Sequence, residues 1–478
     1  MFNGFVMSDL VEGRWAEIFG PRYLSVTIIL ALGVSLFAFN AFLSSAALPS
    51  AVHELGGVEI ISWATTLYLV FAIVGGAAAA LLKRRMGSRG SLVWLALIFL
   101  AGTLVAALAA DMPQVLVGRA IQGFGEGVVA ALCFALIPEL FPSRLVPKVF
   151  GMQAVVWAIA AFGGPAGAGA LTELISWRAA FLINVPLVMV FVTMVLLVVP
   201  RGEKANDVQG FPGLRLLTIG LGTMLVAFAA VAEPVQAALL LVAAAVLLVG
   251  AVWLDRRSAQ RLMPPDAFSF RTAVGSGLWV FMLTPIAGAA TAVYLIMLLQ
   301  QLWGYGPTQA AITGAVMAVA WSLSSVTVAN VRQRATRRVL ICTGPVLIGV
   351  GLILVLLGLE WTQLPVLLAG QVAIGMGFGI SNGYIMLTTM EASTEAERDR
   401  TAALLPTTQS AGNALGAALA GVAANAAGYP QAVENADILA SIIPLFVMAA
   451  CFAFLAFLAA LRLVTLAKTT PVNSFAEG

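Results

Sequence analysis

One histidine and three cysteines in 478 residues leave little room for catalytic or metal chemistry. His53 stands alone, so no histidine-rich ligand set can be built. Cys133, Cys342 and Cys451 each fall in an apolar run, without disulfide or metal spacing, and read as small core residues. Charge is equally scarce at 10% of residues, and the net charge of +3 carries no basic patch that would point to nucleic acid. No Ser/His/Asp or Cys/His cluster is present, which argues against an enzyme. No metal or cofactor is expected. The N-terminus also lacks the short basic-then-apolar pattern of a cleaved signal, so the first long apolar run is expected to stay in the membrane.

What fills the chain instead is hydrophobic: 61% of residues, with a mean hydropathy of +1.00. A soluble domain of this size does not have that composition, whereas a set of membrane-spanning helices does. The 46 glycines and 21 prolines fit closely packed, kinked membrane helices. Fourteen apolar runs of roughly 20 residues, the length a spanning helix needs, lie near 24–49, 60–82, 91–110, 114–138, 148–171, 179–199, 214–233, 235–254, 273–300, 307–329, 338–358, 363–389, 402–425 and 438–462. Only Glu233-Pro234 separates the seventh from the eighth, a natural hairpin turn. With the N-terminus cytoplasmic and the spans alternating, all but two of the 25 Lys and Arg residues fall on the cytoplasmic side. The exceptions are Arg119, inside a span, and Arg178. This bias supports both the orientation and the even count.

Longer polar stretches at 200–213 and 255–272 bracket the seventh and eighth spans. The organisation expected is a cytoplasmic segment 1–21, a six-helix half 22–200, a linker with an inserted hairpin 201–271, a second six-helix half 272–462 and a cytoplasmic tail 463–478. Two such halves place a site between them at the membrane midplane. Within 1–21, Phe2, Phe5, Leu10, Trp15 and Phe19 fit either a short amphipathic surface helix or a frayed terminus.

Inside the fourth run, Arg119, Gln122 and Glu126 are spaced i, i+3, i+7 and share one helical face. Charged side chains in a bilayer usually mark a pathway or relay. Arg119 could also snorkel outward, since it lies about 9 Å along a helix from Pro113. Glu126 fits a coupling acid, a binder of cationic substrate, or a carboxylate paired with a neighbouring helix.

Several blocks together resemble the major facilitator superfamily, and within it the fourteen-helix drug:proton antiporter branch (EmrB/QacA type). Arg119-Ala120-Ile121-Gln122-Gly123-Phe124-Gly125 resembles the family's R-x-x-Q-G-x-G, in which the arginine is tied to proton coupling. Gly163-Gly164-Pro165-Ala166-Gly167-Ala168-Gly169 resembles the antiporter G-P-x-x-G-G, so Gly164, Pro165 and Gly169 are expected to act in packing and bending. Trp177-Arg178-Ala179-Ala180-Phe181-Leu182-Ile183-Asn184-Val185-Pro186 resembles W-R-x-x-F-x-x-N-x-P. Trp177 and Arg178 would anchor the outer interface.

Two blocks depart from the pattern. After the second span, Arg85 and Gly87 fit G-x-L-x-D-R-x-G-R, but Arg84 stands where the family has aspartate. The usual cytoplasmic latch is therefore in doubt, and the basic cluster there is read as topology and lipid contact. In the first span Asn40 stands at an acid position and Ser45 at an asparagine position of D-x-x-x-x-N-x-A-L-P. Because asparagine cannot titrate, Glu126 is left as the candidate coupling acid.

The remaining polar residues within spans are Gln153, Trp157, Tyr294, Asn382, Tyr384, Gln409 and Asn413. With Asn40 they fit either a substrate cavity or interhelical hydrogen bonds.

The expectation is an all-α integral membrane transporter working by alternating access. It would be a monomer of the bacterial plasma membrane with both termini cytoplasmic. It would export small amphipathic or lipophilic compounds against protons, with Arg119, Gln122 and Glu126 in coupling. A transporter of one specific metabolite or lipid, not coupled in the usual way, is the alternative that Asn40 and Arg84 leave open.

Overall fold

The computed structural model describes residues 14–56, 61–142, 144–200, 212–229, 232–258, 261–305, 307–331 and 333–467. At some helical positions, Ser45 and Pro165 among them, only the backbone is described. The stretches 1–13 and 468–478, which hold most of the expected amphipathic segment and of the tail, lie outside the described residues.

The described residues are helical throughout, apart from turns, with no strand. A four-residue helix, α1 (Trp15–Ile18), precedes the first long one. Its Glu17 accepts the Arg14 backbone N–H at 2.6 Å and pairs with Arg144 at 3.0 Å. The Arg14 bond first, and then Arg144, hold this carboxyl below its usual range.

The first apolar run is α2 (Leu24–Leu55). The second and third share one element, α3 (Ile61–Ala107), interrupted at Gly87. There φ is +73°, a left-handed value that glycine adopts without a side-chain clash. The Gly87 expected as a gating residue is thus the point where the chain turns between two helical segments.

Then follow α4 (Met112–Leu140) and α5 (Val146–Leu174). The sixth run divides at Ile183 into α6 (Trp177–Leu182) and α7 (Asn184–Val198). The hairpin is α8 (Gly213–Ala229) and α9 (Pro234–Arg257). The second series is α10 (Ala273–Trp303), α11 (Pro307–Val328), α12 (Arg334–Glu360), α13 (Leu364–Glu391), α14 (Arg398–Ala426) and α15 (Asn435–Leu466). By length and composition, eight helical stretches among the described residues can cross a membrane, and three shorter apolar stretches accompany them.

Local chemistry sets the helix ends. Asp111 caps α4 by accepting from Gln114 N at 2.8 Å, with Pro113 in the first turn, where its missing N–H costs nothing. Thr272 caps α10, and Gly304 ends that helix in the left-handed region.

Helices α2 to α7 pack on one another, and so do α10 to α15. Between the groups, α14 meets α3 and α4, while α5 meets α11 and α13. The hairpin lies against α3 and α14. The end at which α8 starts and α9 finishes is fixed by Asp255, 2% exposed. This carboxylate takes Arg215 at 2.5 Å and the backbone N–H groups of Leu262 and Met263 at 2.8 and 2.9 Å. The outward faces carry exposed Leu197, Val235 and Val242, as a lipid-facing surface requires.

The tightest pairing is α3 with α4, and the glycines of α4 produce it. A Cβ on Gly123 would overlap the Tyr68 carbonyl, and one on Gly127 would overlap that of Ala72. These close approaches bring the backbone of α3 against the face that carries Arg119 and Glu126.

Candidate functional site

Arg119, Gln122 and Glu126 are all buried, at 1%, 0% and 1% exposure. The stripe therefore faces protein, and Arg119 does not snorkel to the surface. Its Nε donates to the Ala64 carbonyl at 3.2 Å, and one terminal nitrogen donates to Gln122 Oε1 at 3.0 Å and to Asn40 Oδ1 at 3.4 Å. Gln122 passes the chain on to Thr103 Oγ1 at 2.8 Å. The guanidinium also stacks 4.1 Å from the centre of the Tyr68 ring, a cation–π contact favoured by its burial.

Arg119 and Glu126 form no direct ion pair; two residues link them. Asn40 Nδ2 and the Tyr68 hydroxyl both donate to Glu126 Oε2, at 3.0 and 2.9 Å. The other oxygen, Oε1, is buried and accepts from no described residue. A proton can sit on Oε1 without displacing a hydrogen bond.

On the far side of this network lies a cavity of about 310 Å³ between the two helix groups. Residues of α2, α3, α4, α5, α10, α11, α13 and α14 line it. Of the expected substrate residues, Gln153, Trp157, Asn382, Gln409 and Asn413 are on its wall, as is Tyr384. Asn40 and Tyr294 are not. Asn40 is committed to Glu126, and Tyr294 packs edge-on against Tyr429 at 5.5 Å. Glu126 does not line the cavity either, although Gly127 beside it does. Phe37 joins the two compartments: its ring stacks on Tyr68 at 6.2 Å and meets Trp157 edge-on at 5.6 Å.

A third cluster closes the end of the bundle where the basic residues gather. Lys83 of α3, 8% exposed, pairs with Glu139 of α4 and with Asp399 of α14, the latter at 2.9 Å. Basic topology and lipid contact alone do not describe this loop. One of its cations is turned inward and bridges the two helix groups, while Arg89 donates to the Val199 carbonyl at 2.5 Å. Other contacts between the groups sit near the same end, such as Ser322 Oγ to the Ala154 carbonyl at 2.9 Å.

A buried arginine–carboxyl network beside a cavity between two helix bundles is a transporter's architecture, and comparison with known proteins agrees. The sequence profile of the Major Facilitator Superfamily matches residues 30–353. This chain belongs to the Major Facilitator Superfamily. A Mycobacterium tuberculosis protein named "Probable multidrug-efflux transporter" is 31% identical over 433 residues, covering 87% of this chain and 90% of that one. The solved structure of the human organic anion transporter MFSD10 superposes with a TM-score of 0.66 at 14% identity, over 92% of this chain and all of that one. The proton:xylose symporter XylE superposes with a TM-score of 0.64 at 17% identity, over 94% and 96%. At such identities the superpositions establish the fold alone, which is that of the major facilitator family. The protein is thus a multi-pass membrane transporter and not an enzyme.

The transporter's remaining motif residues fall into place around this core. Trp177 and Arg178 both bind Glu54 at the end of α2, at 2.8 and 2.6 Å, and Arg178 also reaches the Ala109 carbonyl at 3.2 Å. They anchor α6 to α2 and to the end of α3. Gly163, Gly167 and Gly169 of α5 make no comparably close contact. A Cβ on Gly163 would meet the Phe39 ring at 3.6 Å, while one on Gly167 or Gly169 would meet nothing within 4 Å. Gly164 is buried, and the Pro165 side chain lies outside the described residues.

Sequence reasoning missed Tyr68, Thr103, Lys83, Glu139 and Asp399. For Tyr68 and Thr103 the only available signal was a hydroxyl within an apolar run. For the other three it was a charge at a span end, where charges are ordinary.

Proposed function

We propose that this transporter is a proton-coupled exporter of small lipophilic or amphipathic compounds, of the multidrug type. In this reading it is a monomer of the bacterial plasma membrane with both termini cytoplasmic. It crosses the bilayer fourteen times, with two six-helix halves, 22–200 and 272–462, around the hairpin within 201–271. The observation that carries the reading is Glu126, a buried carboxyl with one oxygen held by Tyr68 and Asn40 and the other without a donor among the described residues. Its place beside the cavity, with Phe37 between, supports a conformational link from proton to cargo. Arg119 and Gln122 hold the network that the proton would rearrange. The relative named as a multidrug-efflux transporter supports the cargo class.

Lys83, with Glu139 and Asp399, supplies a latch at the basic end in place of the aspartate that the family has where Arg84 stands. That end is the cytoplasmic one in this orientation, so the arrangement supports a cavity closed toward the cytoplasm.

The test is transport in proteoliposomes with and without a pH gradient. Wild type is expected to respond to the gradient and Glu126→Gln is not. A pH-independent rate, unchanged by Glu126→Gln, would sink the coupling reading and leave a transporter of one uncoupled metabolite or lipid.

A further inference from the structure

We infer that the central cavity selects uncharged, flat aromatic molecules that carry a hydrogen-bond donor, and that it discriminates against organic cations of the same shape. The inference rests on the reading of this cavity as the substrate site and goes beyond it to the charge and shape of the cargo.

Three observations carry it. First, none of the described residues lining the cavity is Asp, Glu, Lys, Arg or His. The polar groups there are amides, hydroxyls, the indole N–H groups of Trp157 and Trp321, and backbone. Glu126, the acid that could have attracted a cation, sits behind Tyr68 and Phe37 with Oε2 already taken by Tyr68 and Asn40. A cation entering this cavity would lose its hydration and find no counter-charge, the costliest kind of burial. Aromatic faces would return only part of that loss.

Second, the wall offers flat rings from both helix groups. Trp321 and Phe378 stack at 5.0 Å with an interplanar angle of 21° on one side. Phe37 and Trp157 meet edge-on at 5.6 Å on the other. A cavity of about 310 Å³ is of the size that takes a small drug-like molecule, and a planar cargo fits between such rings by offset stacking.

Third, one buried acceptor beside the cavity is left without a donor among the described residues. Gln153 is 3% exposed, yet it lines the cavity. Its amide nitrogen donates to the Leu30 carbonyl at 3.3 Å, which fixes which end of the amide faces away. Its Oε1 has no hydrogen-bond partner among the described residues. A buried acceptor without a donor is costly to the protein alone and favours a ligand that brings an N–H or O–H.

The test compares three probes of one shape: acridone, its N-methyl derivative and N-methylacridinium. Binding to the purified transporter in nanodiscs is measured by equilibrium dialysis against empty nanodiscs. Acridone is expected to bind about tenfold or more tightly than N-methylacridinium, and more tightly than N-methylacridone, which lacks the donor. Gln153→Leu is expected to remove the difference between acridone and N-methylacridone. Should that variant fold poorly, Asn382→Asp, at a half-buried position on the wall, is the second probe. It is expected to raise N-methylacridinium binding about tenfold by placing an acid in the cavity. A cation that binds wild type as tightly as acridone overturns the inference. So does a pair of neutral probes that bind equally to wild type.

The coupling reading is separated by Glu126→Gln in the same assay. That variant is expected to keep the preference for acridone over N-methylacridinium while losing gradient-driven transport. If it keeps gradient-driven transport, the coupling assignment fails and the cavity assignment stands.

Discussion

The Tyr68 hydroxyl donates to Glu126 Oε2 at 2.9 Å while the same ring lies under the Arg119 guanidinium at 4.1 Å. One aromatic side chain thus touches both charged members of the α4 stripe, which do not pair directly. Tyr68→Phe would keep the cation–π contact and remove the donor. Losing a hydrogen bond to a charged group costs about 1.5–3 kcal/mol. The variant is expected to retain substrate binding and Arg119 packing but to shift the pH profile of transport, whereas Glu126→Gln should flatten it. Transport rate against pH in proteoliposomes reads both. Identical profiles for wild type and Tyr68→Phe would remove Tyr68 from the coupling machinery.

On the coupling proposed above, an uncharged cargo exchanged for a single proton at Glu126 would move one net positive charge inward per cycle. A membrane potential of about 100 mV would then contribute about 2.3 kcal/mol, or roughly a fiftyfold concentration ratio, without any pH gradient. Proteoliposomes clamped with potassium and valinomycin are expected to accumulate neutral substrate under potential alone. A cationic cargo exchanged one for one would show no such response.

Lys83 stands between two carboxylates from different helix groups. Lys83→Met removes the cation that Glu139 and Asp399 share and leaves Asp399 only the weaker field of Arg398, so the latch should weaken. Both acids are more than a third exposed, so the effect is modest, about 1 kcal/mol or a fivefold shift toward the conformation open at that end. Distances between spin labels on α3 and α14 measure it. A further Glu139→Gln and Asp399→Asn change is expected to reverse most of the shift, because it removes the repulsion.

Glycine positions should separate sharply in stability. Gly123→Ala would put a methyl group into the Tyr68 backbone, which has no rotamer with which to yield. Overpacking of this kind costs about 1–3 kcal/mol or more, and it would also push Tyr68 off Glu126. Gly169→Ala meets nothing within 4 Å and should be nearly silent. Thermal unfolding followed by fluorescence-detected size exclusion is expected to rank Gly123→Ala well below both wild type and Gly169→Ala.

Much of this transporter is readable from its sequence because the bilayer is an unforgiving solvent. Apolar runs near 20 residues must be helices, so α2, α4, α5 and α10 to α15 lie where hydropathy puts them. The i, i+3, i+7 spacing alone puts Arg119, Gln122 and Glu126 on one helical face, and the structure shows that face buried. The W-R block likewise singles out Trp177 and Arg178, and the fold ties both to Glu54.

Only the tertiary structure decided what that face touches. Asn40, Tyr68 and Thr103 come from other helical segments, 86, 58 and 19 residues from their partners. No local periodicity encodes such pairings; the close helix approach at Gly123 and Gly127 places Tyr68, and that at Gly102 and Gly118 places Thr103. The same holds for Lys83 and Asp399, 316 residues apart. In sequence they are separate charges at span ends, and packing between the two helix groups makes them one cluster. It also parted Asn40 and Tyr294 from the cavity and kept Gln153, Asn382 and Asn413 on it. A polar side chain in a membrane helix must find a partner, but composition cannot say whether that partner is another helix or a substrate.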